Sequence, residues 1–414
     1  DNKSAKKAEK LGFQGEIINL DELLEEYDGQ VVDSEAQERL EKIREQALDT
    51  DPLYSIFTSG STGVPKGVIV NHRSTIDFID CFTETFGITN EDVIGNQAPF
   101  DFDVSVKDIY SSLKTGATLQ LIPKMCFSFP TKLLDFLDDR KVTTIIWAVS
   151  ALCIVTTLNG FEYKRPSSLN KIMFSGEVMP IKHLNAWRVQ YPDAMFVNLY
   201  GPTEITCNCT YYIIDREFGL DEKLPMGKPF ANERVFLLDD EDKLVDAGRP
   251  GELGEICVSG TAVTMGYLRN PEKTAAAFVQ NPLNDRYLET IYRTGDLAYY
   301  NELGELCFAT RKDFQIKHMG HRIELGEIET YMNAIEGLLR SCCIFDTDEN
   351  KILGFFEIEG ASELDRKGVT HALKDKVPQW MIPNVLVKVE TMPITKNGKI
   401  DRKELMKIYK EQEA

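Results

Sequence analysis

Between Leu53 and Gly67 the chain reads Leu-Tyr-Ser-Ile-Phe-Thr-Ser-Gly-Ser-Thr-Gly-Val-Pro-Lys-Gly. Tyr54 to Thr58 has the aromatic and β-branched content of a short strand. The loop after it suits the holding of phosphate. Gly60, Gly63 and Gly67 permit positive φ and close backbone approach, so successive N–H groups can turn inward. Thr58, Ser59, Ser61 and Thr62 add hydroxyl donors, and Lys66 adds charge. The pattern is not a Walker A loop, which has glycine directly before its lysine and Ser or Thr directly after; here Pro65 and Gly67 flank Lys66. A surface linker would account for the glycine and serine, but not for four hydroxyls and a lysine behind a strand.

Ahead of this loop the sequence predicts a lysine-rich lead-in, a short strand from Glu16 to Leu20, and a helix from Ser34 through Ala47. After it, strand and helix alternate. Val68 to Val70 precedes a helix over Ser74 to Phe86, and Val93 to Ala98 precedes a helix that ends near Gly116. Strand Gly116 to Ile122 leads to helix Thr131 to Arg140, then to Val142 to Val149, a near-continuous apolar run typical of a strand covered on both faces. Ile172 to Phe174, helix Ile181 to Tyr191 and Met195 to Leu199 complete the series. The alternation predicts an α/β fold with parallel-containing sheets packed by helices and chemistry at the carboxyl ends of the strands. From Leu224 short strands and Gly/Pro turns take over: Arg234 to Leu238, Asp246 to Gly251 and Glu255 to Val258. The last hundred residues read as a small α+β unit. Among its elements are strand Phe314 to Lys317, helix Glu324 to Ile335, helix Arg366 to Lys376 and a helical tail after Asp401. The expected division is a large part over residues 1–312, β-rich over 224–312, and a small C-terminal domain over 313–414.

A formal net charge of -19 argues against nucleic acid or an anionic membrane as partner, because most of the surface would repel it. No apolar run reaches the ~18 residues needed to span a bilayer. The first residues, Asp-Asn-Lys-Ser-Ala-Lys-Lys, do not resemble a secretory signal, so a cytoplasmic location is expected. The nine cysteines show no CxxC pairs or Cys/His metal spacing, which predicts reduced thiols serving mostly as small core residues.

The stretch Thr58 to Gly67 resembles the signature loop of the adenylate-forming enzymes, the superfamily of acyl-CoA synthetases, luciferases and amino-acid adenylation domains. The resemblance covers residues 53 to 405 and implies ATP and Mg2+ as cofactors. Tyr200-Gly-Pro-Thr-Glu204 matches the family motif whose glutamate holds the magnesium ion and whose tyrosine lies against adenine. Ser175-Gly176-Glu177 resembles the segment that frames adenine, usually Gly-Gly-Glu. In Tyr292-Arg-Thr-Gly-Asp296 the aspartate implies a partner for the ribose hydroxyls. In Arg311-Lys-Asp-Phe-Gln-Ile-Lys317, Arg311 is implied to contact nucleotide and Asp313 to be the hinge between domains, with Thr310 standing where glycine is usual. Gly320, in the segment His318 to Glu329, is implied to line the pantetheine channel; His318 and His321 are read as surface residues rather than bases. Lys399, in Pro393 to Arg402, is implied to be catalytic, with Lys66 and Thr203. Asn198, Leu199 and Gly201 complete the implied nucleotide contacts. Family members carry about a hundred residues or more before the phosphate loop, whereas fewer than sixty precede it here, so the front lobe is expected to be missing.

The substrate class turns on Phe102-Asp103-Val104-Ser105-Val106, which resembles the form of this motif in which the aspartate accepts the substrate's α-ammonium. Asp103 could also cap the helix that follows. Lys107 stands where a hydrophobic residue is usual, and a lysine in an apolar pocket must pair with Asp101 or Asp108, snorkel outward, or meet an acidic or polar substrate; pairing or snorkelling is the expected outcome. With Val104, Ala148, Ser175, Leu199 and Cys207 these residues are implied to line the acyl pocket. The pattern looks closest to D-alanine:carrier-protein ligases and peptide-synthetase adenylation domains. It implies activation of D-alanine or another small to medium amino acid and its transfer to the phosphopantetheine thiol of a carrier protein. The alternatives are an acyl-CoA synthetase using free CoA and an inactive nucleotide-binding scaffold.

Overall fold

The computed structural model describes residues 1–414 except 3, 6–9, 11, 13–14, 29–32, 59–64, 221, 313–314, 359–363, 375, 395–399 and 414. Two compact units are formed, Asp1–Asp51 and Pro52–Ala414. In the first, helices Leu20–Tyr27 and Ser34–Gln46 bury no residue. The strand expected from Glu16 to Leu20 is absent: residues 16–19 are irregular, and Asn19 caps the helix that starts at Leu20 by accepting from the Asp21 N–H. Its short amide side chain favours that cap over extension.

The second unit is built on a seven-stranded sheet in the order β4-β3-β5-β6-β7-β8-β9. Here β3 is Val93–Asn96, β4 Thr118–Leu121, β5 Thr144–Ala148, β6 Lys171–Ser175, β7 Met195–Tyr200, β8 Thr210–Ile213 and β9 Lys228–Pro229. The strands from β4 to β7 pair in parallel, and β8 and β9 are antiparallel. Because both faces of β5 and β6 are covered, Ile145, Ile146, Trp147, Ile172, Met173 and Phe174 are all fully buried. They divide between two clusters. One gathers helices Pro130–Asp139, Val149–Thr157 and Ile181–Gln190, and the other the phenylalanine-rich helix His72–Phe86. Helix Val104–Thr115 ends at Gly116, whose φ of 76° is cheap only for glycine and turns the chain into β4.

The β-rich part is an antiparallel sheet in the order β11-β10-β12-β14-β13, with β15 on β14. Its strands are Glu233–Leu238, Leu244–Val245, Gly254–Gly260, Phe278–Gln280, Thr290–Tyr300 and Leu306–Arg311, numbered β10 to β15. Between these strands Asp246 to Gly251 is a turn: the Asp246 carboxylate accepts from the Gly248 N–H at 2.8 Å and its carbonyl from the Arg249 N–H. That side-chain bond competes with any ladder. β1 (Pro52–Thr58) pairs antiparallel with β2 (Lys66–Asn71), the two strands that flank the glycine-rich segment in sequence.

Toward the C-terminus, hairpin β16 (Gln315–His318) and β17 (His321–Glu324) precedes the sheet β18-β19-β20 (Leu338–Asp346, Lys351–Ile358, Val385–Lys388). Helices Leu325–Asn333, Arg366–Lys374 and Arg402–Glu413 accompany it. His318 is not a surface residue: it is 4% exposed, packed edge-on to Phe345, and burial holds its imidazole below the ordinary range. His321 is half-buried and stacked on Trp380 at 4.0 Å. Seven of the nine cysteines are buried and all are free, as small core residues should be. Among the described residues no helix is long and apolar enough to cross a membrane.

Candidate active site

The carboxyl ends of β5, β6 and β7 and the start of helix Val104–Thr115 meet at one place. Tyr200 ends β7, and the chain turns through Gly201 and Pro202 into the short helix Thr203–Ile205, bringing Glu204 to full burial. A Cβ on Gly201 would come within 2.5 Å of the Asn208 Cα, so the fold of this loop requires glycine. The Glu204 carboxylate accepts from the Tyr267 hydroxyl at 2.8 Å and lies 3.9 Å from the Lys66 ammonium, which sits over the Tyr267 ring. Lys66 thus leaves the glycine-rich loop pointing at the glutamate. Ser59, Gly60, Ser61, Thr62 and Gly63 lie outside the described residues; Thr58, last in β1, has a buried hydroxyl with no hydrogen-bond partner among the described residues.

A second polar group forms where β14 pairs with β15. Their register sets Asp296 opposite Arg311, whose Nη1 donates to the carboxylate at 2.5 Å, and the Tyr200 hydroxyl donates to its other oxygen. Asp296 is 2% exposed. Asn198 is used differently: its amide donates to the Pro225 carbonyl at 2.8 Å.

Asp103 is 8% exposed and sits at the N-terminus of its helix, but makes no capping hydrogen bond there, so the capping alternative does not hold. Burial raises its pKa, against a hydrogen bond from Thr203 and the charges of Lys107 and Lys317. Val104 follows it at the start of the helix. Lys107, one turn on, is fully buried. It neither snorkels nor forms an ion pair with Asp101 or Asp108: its ammonium donates to the Asn208 side-chain oxygen at 2.6 Å, within reach of the Cys207 thiol. The reason is geometric, since Asp108 turns to Asn96, which donates to it at 2.7 Å, and burial pushes the Asp108 carboxyl up to about 7. Leu199, Ser175 and Cys207 are all buried nearby on β7, β6 and the following loop; burial pushes the Cys207 thiol up to about 12.

The hairpin β16–β17 reaches the same place. The Gly320 N–H donates to Glu177 at 2.5 Å, and a Cβ added to Gly320 would meet the Ala148 Cβ at 3.4 Å. Gly176, beside Glu177, has φ of 98°. Lys317 lies over the Tyr200 ring, and His321 edges on Phe102. Asp313 and Lys399 lie outside the described residues. Three residues with no motif of their own join the site: Asn208, Tyr267 and Tyr54. Tyr54 is on β1, electrostatically close to Asp103 and Cys207. Two open hollows of about 420 and 410 Å³, on helices Arg366–Lys374 and Ile181–Gln190, contain none of these residues.

Residues 2–268 match the family model described as AMP-binding enzyme. The chain belongs to the AMP-binding enzyme family. It is 36% identical over 367 residues to the zwittermicin A synthase ZmaJ of Bacillus cereus, covering 86% of this chain and 68% of the relative. It is 33% identical to the D-alanine--D-alanyl carrier protein ligase of Staphylococcus aureus (strain JH9), over 96% of this chain and 77% of that protein. It spans only 7% of bacitracin synthase 1 of Bacillus licheniformis. The solved structure of holo-PA1221, an NRPS protein containing adenylation and PCP domains, superposes with a TM-score of 0.74 at 26% identity, over 87% of this chain and 61% of that one.

Proposed function

We propose that this enzyme activates an amino acid with ATP and passes it to the phosphopantetheine thiol of a carrier protein. In the first step a carboxylate oxygen of the amino acid attacks the α-phosphorus and pyrophosphate leaves. In the second the thiol sulfur attacks the acyl carbon and AMP leaves with the bond electrons. The observation that carries the reading is Asp103: a buried carboxylate without a capping role, joined through Thr203 to the loop that holds Glu204 and faces Lys66. An α-ammonium is a chemically apt partner for it, and a fatty or aryl acid offers none.

Magnesium suits this donor set, because it takes one or two carboxylates together with substrate phosphates and keeps its waters. Glu204 would hold it, and the ion would neutralise charge on the triphosphate. Lys66 would meet the phosphates, Asp296 the ribose hydroxyls, and Arg311 would orient Asp296. Tyr200 would stack on adenine. Residues 313–414 would act as a small domain pivoting at Asp313. Gly320 lies against Ala148 and Glu177, which supports a role of this hairpin in thiol entry; Lys399 would replace it during adenylation. The relatives named for carrier-protein ligation and for adenylation with PCP domains support a carrier over free CoA. Intact-mass analysis of a phosphopantetheinylated carrier protein, with ATP and an amino-acid mixture, tests this: a gain equal to one aminoacyl group is expected, and exclusive formation of aminoacyl-CoA would refute it.

A further inference from the structure

From the buried charge beside Asp103 we propose that the substrate is an amino acid with an anionic side chain, of the aspartate or glutamate class, and that Lys107 is the residue that selects it. The inference rests on the amino-acid activation proposed above. Asp103 and Lys107 are four residues apart, so they share one face of helix Val104–Thr115, about 6 Å apart along its axis. One face therefore carries a carboxylate at the helix start and an ammonium one turn deeper. Both turn to the same loop, Asp103 to Thr203 and Lys107 to Asn208.

Lys107 is 0% exposed, and a buried ammonium is ordinarily paired with a carboxylate. Here its hydrogen-bond partner is a neutral amide oxygen, with a thiol close by and no carboxylate within 4 Å among the described residues. The carboxylates near it do not pair with it. Asp108 turns one oxygen to Asn96 and burial pushes its carboxyl up to about 7, and Asp103 is claimed by the substrate's own ammonium. When a neutral amino acid binds, its ammonium cancels Asp103 and leaves Lys107 uncompensated. When an acidic one binds, its side-chain carboxylate cancels Lys107 and the pocket closes neutral.

The test uses the full chain and two readouts. Binding of aminoacyl-sulfamoyl-adenosines, which need no turnover, is expected to be at least about tenfold tighter for the aspartyl or glutamyl analogue than for the alanyl one, and Lys107→Met should abolish that preference. Lys107→Met keeps the length and apolar stem, and its melting temperature is expected to match or exceed the parent's, since an uncompensated charge is removed. Equal or tighter binding of the alanyl analogue overturns the inference, as does a preference that survives in Lys107→Met. Pyrophosphate exchange separates this from the parent reading: exchange driven by neutral amino acids but not acidic ones sinks the assignment to Lys107 and leaves amino-acid activation standing, whereas no binding of any aminoacyl analogue removes both.

Discussion

Replacing Asp103 by alanine removes the proposed counter-charge of the substrate ammonium from a place 8% open to solvent. The burial decides the magnitude. An exposed ion pair contributes at most about 1 kcal/mol, but a buried one that loses a partner costs about 3 to 5. At 1.36 kcal/mol per tenfold, that is a fall of roughly two hundredfold to five-thousandfold in amino-acid-dependent activation. The nucleotide contacts proposed for Asp296 and Tyr200 lie on β14 and β7, so ATP affinity should stay within about twofold, inside the spread usual for sites without shared partners. The assay is amino-acid-dependent ATP–pyrophosphate exchange, with ATP binding by calorimetry and a thermal melt alongside. Asp103→Asn, which keeps the shape and loses the charge, should fall nearly as far. A loss below about fivefold in Asp103→Ala would mean that no buried ammonium meets this carboxylate, and the substrate class would be wrong.

The same geometry sets three other outcomes. Glu204→Gln keeps the Tyr267 contact but loses the hard anionic oxygen, so the magnesium concentration giving half-maximal exchange should rise at least about tenfold; an unchanged requirement would remove Glu204 as the metal-holding group. Gly320→Ala puts a side chain at φ of 80° against Ala148, costing about 1 to 2 kcal/mol in this pose, and should slow carrier loading more than exchange. Equal slowing of both would argue against a role confined to thiol entry. Lys399→Ala should cost at least about a hundredfold in adenylation, or ~2.7 kcal/mol, while transfer from pre-formed aminoacyl adenylate is largely untouched. The two-pose arrangement fails if transfer drops as steeply.

The central sheet was legible because strands covered on both faces must be apolar throughout, and Val142 to Val149 has that pattern. Tyr200 to Glu204 was legible because a strand that ends in Gly-Pro projects its next residues from the sheet's carboxyl edge. A misreading arose where a short polar side chain redirects the backbone, as Asn19 does at its helix start. Asn208 and Tyr267 carry no local signal, since each meets its partner across a long stretch of chain: 101 residues between Lys107 and Asn208, and 63 between Glu204 and Tyr267. Lys107 was conspicuous as an anomaly. Which way it resolved depended on whether Asp108 could reach it, and the bond from Asn96 to Asp108 is a tertiary fact.

The central claim is that this chain joins an amino acid to AMP. Isotope exchange between pyrophosphate and ATP, run with each amino acid in turn and with none, measures that step alone. Exchange that depends on one amino acid or a small related group, and stays at background with fatty and aryl acids, is the predicted result. Exchange driven by a fatty or aryl acid, or none above background with any amino acid despite measurable ATP binding, would contradict it.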